Sequence, residues 1–275
     1  MILTNKTFLI TGIADEHSLA MYVAKAIIAE GGKVICTGLG VSPFHQNLSE
    51  RAKSYLNKTF DDFKDSIKTH LGSKASVEIL DVTLDENLKY FAKNLLKNKI
   101  NIDGILHAVA MDKTIRNKKV KPLLEVSFDE FCGTMDVSAF SLIRLTNSLF
   151  KSKVLNAGAS ICALSYIAAE KVTFHPYRNM SIAKAALERI VIELADEMGR
   201  KNGTRVNAIR FSTYLGSKAG AATLTEEDVS TSDRISPLGN ATPIDLANEV
   251  VHLFRPDSRI TGEIRHVDGG YHIMG

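Results

Sequence analysis

Cysteine is scarce in this chain. Cys36, Cys132 and Cys162 are an odd number of thiols at wide spacing, with no C-x-x-C pair and no Cys/His cluster. Both a disulfide framework and a structural zinc site are therefore disfavoured, and no metal is expected. Long hydrophobic runs are lacking as well. No apolar stretch approaches the roughly 20 residues a membrane helix needs. Residues 1–10 have no basic n-region and read as a first strand rather than a signal peptide. Membrane association is not expected, and a reducing cytoplasm is the default compartment. Excess charge is missing too, since a net charge of +3 gives no ground for nucleic-acid binding. Repeats, low-complexity tracts and Pro/Gly/Ser-rich linkers are absent, so residues 1–275 are read as one domain.

What is present is an alternation of short apolar runs with longer amphipathic segments, the pattern of a parallel sheet covered by helices. Strands are expected at residues 7–11, 33–37, 76–81, 104–109, 159–164, 205–210 and 263–267. That makes a seven-stranded α/β Rossmann-like sheet with helices on both faces. Residues 19–30 carry apolar side chains at helical spacing and stop at Gly31-Gly32. Residues 129–150 and 181–199 read as long helices. Two stretches fit less well. Residues 41–72 suggest an extra helix in the second connection, and residues 215–240 suggest a mobile loop or lid.

The first strand runs into Thr11-Gly12-Ile-Ala14-Asp-Glu-His-Ser18-Leu19-Ala20, and a helix follows. A small-residue turn lets backbone approach a pyrophosphate, and a helix N-terminus supplies free N–H groups and partial positive charge. Ser18 suits an N-cap or a phosphate donor. The G-x-G-x-x-G pattern is absent, however, and a plain strand–turn–helix junction explains the segment about as well. Asp81-Val82, after the third strand, could accept the adenine amino group; capping the next helix is an equally common use of such an Asp. After the second strand, Gly38-Leu39-Gly40 offers neither the basic residue a 2′-phosphate wants nor the acid that binds a free ribose diol. Absence of positive charge there favours NADH over NADPH.

Tyr177-Arg-Asn-Met-Ser-Ile-Ala-Lys184 separates a phenol and an ammonium by seven residues. In a helix that is two turns, placing both on one face with the lysine leaning back toward the tyrosine. Such a cation would lower the phenol pKa, and the phenol could then stabilise an oxygen that gains charge during hydride transfer. A solvated helix face is the plain alternative. Position after a fifth strand–helix repeat, with a nucleotide turn at the start, favours catalysis.

Several segments together resemble the bacterial enoyl-acyl carrier protein reductases, a divergent branch of the short-chain dehydrogenase/reductase superfamily. They are the turn 11–20, Leu80-Asp-Val82, Met135-Asp-Val-Ser-Ala-Phe-Ser141, Leu164-Ser-Tyr-Ile-Ala-Ala-Glu-Lys171, Tyr177 to Lys184, Arg205-Val-Asn-Ala-Ile209 and Gly262-Glu-Ile-Arg-His-Val-Asp-Gly-Gly270. Gly12, Ala14 and Ser18 match that branch's glycine-poor phosphate turn. Tyr166 fits its second tyrosine, and Ser138 stands where most of the superfamily has a catalytic Asn.

The resemblance implies reduction of a trans-2-enoyl thioester carried on acyl carrier protein, with hydride from C4 of NADH entering the β-carbon. Tyr177 would stabilise the enolate oxygen, Lys184 would hold the nicotinamide ribose, and Tyr166 would line the acyl site and assist. Cofactor contacts are implied at Gly12, Ala14, Ser18, Leu19, Leu39, Asp81, Val82, Val109, Lys184, Tyr214 and Gly216. Substrate contacts are implied at Met111, Asp112, Tyr166 and Tyr177. A homotetramer is implied, with residues 267–275 packing across an interface.

The chain also departs from the family. Phe211-Ser-Thr-Tyr214-Leu-Gly216 replaces a small-Gly-Pro-Ile-basic-Thr stretch that wraps the nicotinamide, within a substrate-loop region at about 211–240. His107-Ala-Val109-Ala-Met111-Asp112 lacks an expected Ser and Gly, and the spacing from Tyr166 to Tyr177 is one residue longer than usual. A carbonyl reductase or alcohol dehydrogenase, and a nucleotide-binding paralogue with weakened catalysis, are the other readings. The run Lys113-Thr-Ile-Arg-Asn-Lys-Lys-Val-Lys121 could meet an acidic carrier, though solvated loop charge is the plainer account.

Overall fold

The structure, a computed structural model, describes residues 1–175 and 177–274. Strand β1 (Thr7–Ile10) leads into helix α1 (Leu19–Ala29), then β2 (Lys33–Gly38), α2 (Glu50–Leu71), β3 (Ala75–Ile79), α3 (Asp85–Lys97) and β4 (Ile102–His107). A small antiparallel hairpin follows, β5 (Ile115–Arg116) and β6 (Lys119–Val120), before α4 (Phe128–Met135) and α5 (Ser141–Lys151). The second half runs β7 (Leu155–Ser165), α6 (Asn179–Asn202), β8 (Arg205–Phe211), α7 (Lys218–Thr223), α8 (Glu226–Ile235), α9 (Pro243–Phe254) and β9 (Ile264–Val267). The main sheet has seven strands in the order β3-β2-β1-β4-β7-β8-β9, all parallel. This is the single Rossmann-like α/β domain expected.

Alternation along each strand explains the two layers, because successive side chains point to opposite faces. Phe8 and Ile10 join Val34, Cys36, Leu106 and Ile209 in one core, packed under α1, α2 and α9. Leu9 joins Ile35, Ile105, Ile161 and Val206 in the other, under α3, α5 and α6. Among the described residues no helix is long and apolar enough to cross a membrane.

Three expectations need correction. The segment 41–72 holds no extra helix, because the 22-residue α2 is itself the crossover between β2 and β3. The expected helix over 129–150 is interrupted by a π turn at Asp136–Phe140. Two serine bonds accompany it: Ser141 Oγ donates to the Val137 carbonyl at 2.7 Å, while Ser138 turns away to the Met111 backbone. Such turns often occur at functional sites. Finally, 215–240 is no open loop. It folds as α7 and α8, started by Ser217 and Thr225 side chains that accept backbone N–H groups.

Candidate active site

Strand order reverses beside β1, and ligands of open α/β sheets bind at the carboxyl ends of strands at such a point. A cavity of about 360 Å³ opens there. It gathers Gly12, Ala14, Ser18, Leu19, Met111, Asp112, Tyr166, Tyr177, Lys184 and Tyr214, residues that lie up to two hundred positions apart in sequence. Five expected contacts are not on its wall: Leu39, Asp81, Val82, Val109 and Gly216. Leu39 is exposed on the end of β2, while Val82 and Val109 turn their side chains into the core. Asp81 is already engaged. One carboxylate oxygen lies 3.1 Å from His45 Nε2, and the other accepts from the Thr83 backbone N–H and hydroxyl.

The phosphate end is built as an anion seat. Gly12 stands at φ +81°, and a Cβ there would lie 2.2 Å from the Ala108 carbonyl oxygen. Only glycine fits this turn. Ser18 is the N-cap residue of α1, but its hydroxyl makes no cap bond to the helix. Instead Ser18 Oγ accepts from the Ala14 and Asp15 N–H groups at 2.9 and 3.0 Å and donates to the Asp15 carboxylate. The first turn of α1 carries no acidic residue. The Met21 N–H donates to the Ser18 carbonyl at 2.8 Å, leaving the N–H groups of Leu19 and Ala20 to an anion, which the helix dipole favours. Lys218 Nζ donates to the Ala14 carbonyl at 2.9 Å, adding a cation beside the turn.

The pair Tyr177 and Lys184 differs from its expected arrangement. Helix α6 starts at Asn179, so Lys184 is helical and Tyr177 is not. Arg178 between them stands at φ +47°, a conformation that costs a non-glycine residue energy. Lys184 Nζ donates to the Leu164 carbonyl at 2.8 Å. Desolvation pushes its ammonium down to about 8, against an opposing pull from Glu188. The Tyr177 phenol is pushed up, first by burial and then by Tyr166 and Asp228. This corrects the expected lowering: one Lys184 N–H goes to the Leu164 carbonyl, and burial disfavours the phenolate. Tyr166 packs its ring 5.2 Å from that of Tyr177, and its hydroxyl lies 3.2 Å from Thr213 Oγ1. Burial carries its phenol up to about 12.

The unusual 211–216 stretch is bonded into this wall. Ser212 Oγ accepts the Ala241 N–H at 2.8 Å, Thr213 meets Tyr166, and Tyr214 donates its hydroxyl to the His17 carbonyl at 3.1 Å. Gly216 serves Tyr214, since a Cβ on it would sit 2.4 Å from the phenol oxygen. Beneath the floor, Ser138 is buried and bridges both backbone groups of Met111, at 3.0 and 3.2 Å. Buried His107 places Nε2 2.7 Å from Ser141 Oγ, and burial next to Lys184 lowers its ring to about 3. It is therefore a neutral structural group. Asp112 Oδ1 is held by Thr114, while its Oδ2 is buried with no partner among the described residues.

Sequence reasoning missed Thr213 as the partner of Tyr166, and Ile115, Met180, Lys218 and Leu224 as cavity residues. A signal existed for the cover helices. Thr225-Glu-Glu-Asp228 is a capping-box pattern, and the reciprocal bonds are present. Nothing in the chain marked Lys218.

The ammonium of Lys184 sets an expected pH dependence. Below about 8 it is charged in both the folded and the unfolded chain, so its desolvation penalty is fully present and constant. Between about 8 and its ordinary value of 10.5 the unfolded chain holds the proton and the folded one does not, so stability rises with pH. Activity moves oppositely. The value of kcat/KM for NADH, which reports the free enzyme, is expected to fall as pH rises through about 8. A flat profile to pH about 10 would remove Lys184 from cofactor binding.

Three comparisons bear on this geometry. A family model described as enoyl-(acyl carrier protein) reductase matches residues 12–272. The enoyl-[acyl-carrier-protein] reductase [NADH] of Aquifex aeolicus is 35% identical over 276 aligned positions, covering 100% of this chain and 94% of that protein. Among solved structures, the Bacillus cereus enoyl-acyl carrier protein reductase with NADP+ and indole naphthyridinone is similar with a TM-score of 0.85. It is 29% identical, with 100% and 99% of the two chains covered. The NADH complex of the Alistipes finegoldii protein gives a TM-score of 0.84 at 28% identity, covering 100% of this chain and 90% of that one.

Proposed function

The chain belongs to the enoyl-(acyl carrier protein) reductase family, and from that premise we propose how its own residues carry the reaction. It is an NADH-dependent enoyl-[acyl-carrier-protein] reductase, an oxidoreductase of fatty acid synthesis. The observation that carries the site assignment is the pairing of Tyr166 with Tyr177 over Lys184, in the cavity that ends at the uncapped start of α1.

The residues present fit the cofactor. Gly12, Ala14, Ser18 and Leu19 would hold the pyrophosphate at the α1 N-terminus, with Lys218 as a further cation. Lys184 would hold the nicotinamide ribose, and Ser212, Thr213 and Tyr214 would border the carboxamide. Bound NADH supplies the hydride. Tyr177, kept protonated by burial, donates a hydrogen bond to the thioester oxygen as it gains enolate charge. Tyr166, held by Thr213, walls the acyl site and keeps the Tyr177 ring in place. Ser138 is tied to the Met111 backbone rather than projecting into the cavity, which disfavours the carbonyl-reductase reading.

The direct test follows NADH absorbance with a trans-2-enoyl thioester and, separately, a ketone or aldehyde. Oxidation with the enoyl thioester alone is expected. Turnover of carbonyl substrates alone would replace the reading by the alcohol dehydrogenase one. Absence of turnover despite NADH binding would favour the weakened paralogue.

The carrier should dock on the β5–β6 hairpin. Ile115 lines the cavity from its inner side, while Lys113, Arg116, Lys118 and Lys119 are exposed; Lys121 is paired with Glu130. The Lys118 N–H donates to the Ala222 carbonyl at 3.0 Å and fastens the hairpin to α7. Charge reversal by R116E and K119E is expected to raise KM for the carrier-linked substrate about tenfold, and to leave a neutral N-acetylcysteamine thioester unchanged. Equal effects on both substrates would remove the hairpin from carrier recognition.

The same reading extends to residues 211–240 as the substrate-loop region, to a homotetramer and to a cytoplasmic location. Exposed apolar side chains at Leu124, Phe128 and Ile273 support a subunit contact. Of the segment 267–275, Gly275 lies outside the described residues. Sedimentation of the purified chain as a monomer would refute the tetramer.

A further inference from the structure

Tyr177 lies outside the helix that carries Lys184, and the left-handed Arg178 separates the two. The orientation of its phenol is therefore not set by the helix. Two rings pack against it. Tyr166 packs on one side at 5.2 Å and 59°, and His175 meets Tyr177 edge-on at 5.1 Å and 75°. His175 sits in the tyrosine-to-tyrosine segment that is one residue longer than the family pattern. Its Nε2 is buried and has no partner among the described residues. Its Nδ1 lies 3.3 Å from Asp228 Oδ2, and both side chains are largely buried, at 11% and 17% exposure.

Asp228 belongs to the cover of the cavity. It is the third residue of α8, and its Oδ2 also accepts the Thr225 N–H and hydroxyl, both at 2.7 Å. Just before α8, residues 219, 220 and 222–224 of the cover line the cavity wall. One carboxylate oxygen thus starts the cover helix and anchors the ring that backs the catalytic tyrosine. Thr173 adds a second tie, donating its hydroxyl to the His175 carbonyl at 2.6 Å.

We propose that His175 and Asp228 form a latch through which the α7–α8 cover holds Tyr177 in its reactive orientation. His175 is a positioning residue in this arrangement, acting through Tyr177. The inference rests on Tyr177 being the group that meets the thioester oxygen. It assigns a use to the lengthened segment, and it makes seating of the cover a condition for turnover.

The test uses His175→Phe, which keeps a ring against Tyr177 but loses the contact to Asp228, and Asp228→Ala, which removes the shared oxygen while the backbone N–H at 228 still reaches Thr225 Oγ1 to cap α8. Both are expected to lower kcat by about ten- to a hundredfold while KM for NADH stays within about twofold. The double variant should lose no more than either single one, because both break the same link. Hydrogen exchange gives a readout independent of turnover. Asp228→Ala should speed exchange in residues 171–178, on the far side of the contact, although Thr225 Oγ1 still caps α8. Wild-type kcat in either single variant, or unchanged exchange in 171–178, would overturn the latch. A wild-type protein without enoyl-thioester turnover, but with the exchange coupling intact, would refute the reading of the reaction and leave the latch standing.

Discussion

Tyr177→Phe is expected to lower kcat by about 10²–10³-fold, with KM for NADH little changed. The substitution removes one oxygen and keeps the ring, so the packing against Tyr166 and His175 survives. What disappears is a donor aimed where charge develops. Burial keeps the Tyr177 phenol protonated across the working pH range, and such a group is worth most in a desolvated cavity. Tyr166 is a poor substitute because its hydroxyl is held by Thr213. Steady-state oxidation of NADH with an enoyl thioester checks this, with Tyr166→Phe as the control. A loss confined to about twofold in Tyr177→Phe, with the large loss in Tyr166→Phe, would exchange the two roles.

Glu188→Ala should destabilise the fold by about 3 kcal/mol, the lower end of what breaking a buried ion pair costs. Glu188 and Arg210 form a fork inside the protein, Nε to Oε1 at 2.8 Å and Nη2 to Oε2 at 2.6 Å, with side chains only 9% and 8% exposed. Ser165 Oγ donates to the same carboxylate at 2.6 Å. The fork joins α6 to β8, and Ser165 ties in the end of β7, so three elements beneath the cavity share it. The alanine variant leaves the Arg210 guanidinium in a dry site. Glu170 still contacts it from the surface, which is why the lower figure applies. Replacing both partners, as in Glu188→Met with Arg210→Met, should recover much of the loss, because no unpaired charge remains. Urea melts measure each difference. A loss under about 1 kcal/mol would mean the pair behaves as a surface contact. The fork also steadies Lys184, since Glu188 opposes the desolvation of that ammonium. Glu188→Gln should therefore move the alkaline fall of kcat/KM to lower pH.

Much of the fold was legible in the chain. Central strands such as β1 and β2 lie where short apolar runs sit between amphipathic segments, because their residues are buried on both faces. The glycine-poor turn was only half legible, since a plain strand–turn–helix junction reads the same in sequence and the close fit of Gly12 against the Ala108 carbonyl exists only in the fold. Helix continuity was less so. Nothing local announces the π turn at Asp136–Phe140, where Ser138 reaches the distant Met111 backbone. The spacing of Tyr177 and Lys184 suggested one helix face, yet Arg178 takes a left-handed conformation that residue type does not foretell. Asp81 looked free to meet adenine, and only the folding of the 41–45 loop brings His45 onto its carboxylate.

By itself the sequence determined the parallel sheet, and it singled out as candidates the turn at Gly12–Ser18 and the trio Tyr166, Tyr177 and Lys184. Periodicity, small-residue turns and fixed spacings are local properties, and local properties survive in a linear text. Tertiary structure alone decided the protonation balance of that trio. It placed Lys184 on the Leu164 carbonyl, buried Tyr177 deeply enough to hold its proton, and set Thr213, His175 and Asp228 around it. Desolvation and charge act through space at a few ångströms, and those distances exist only once β7, β8, α6 and the cover helices have met.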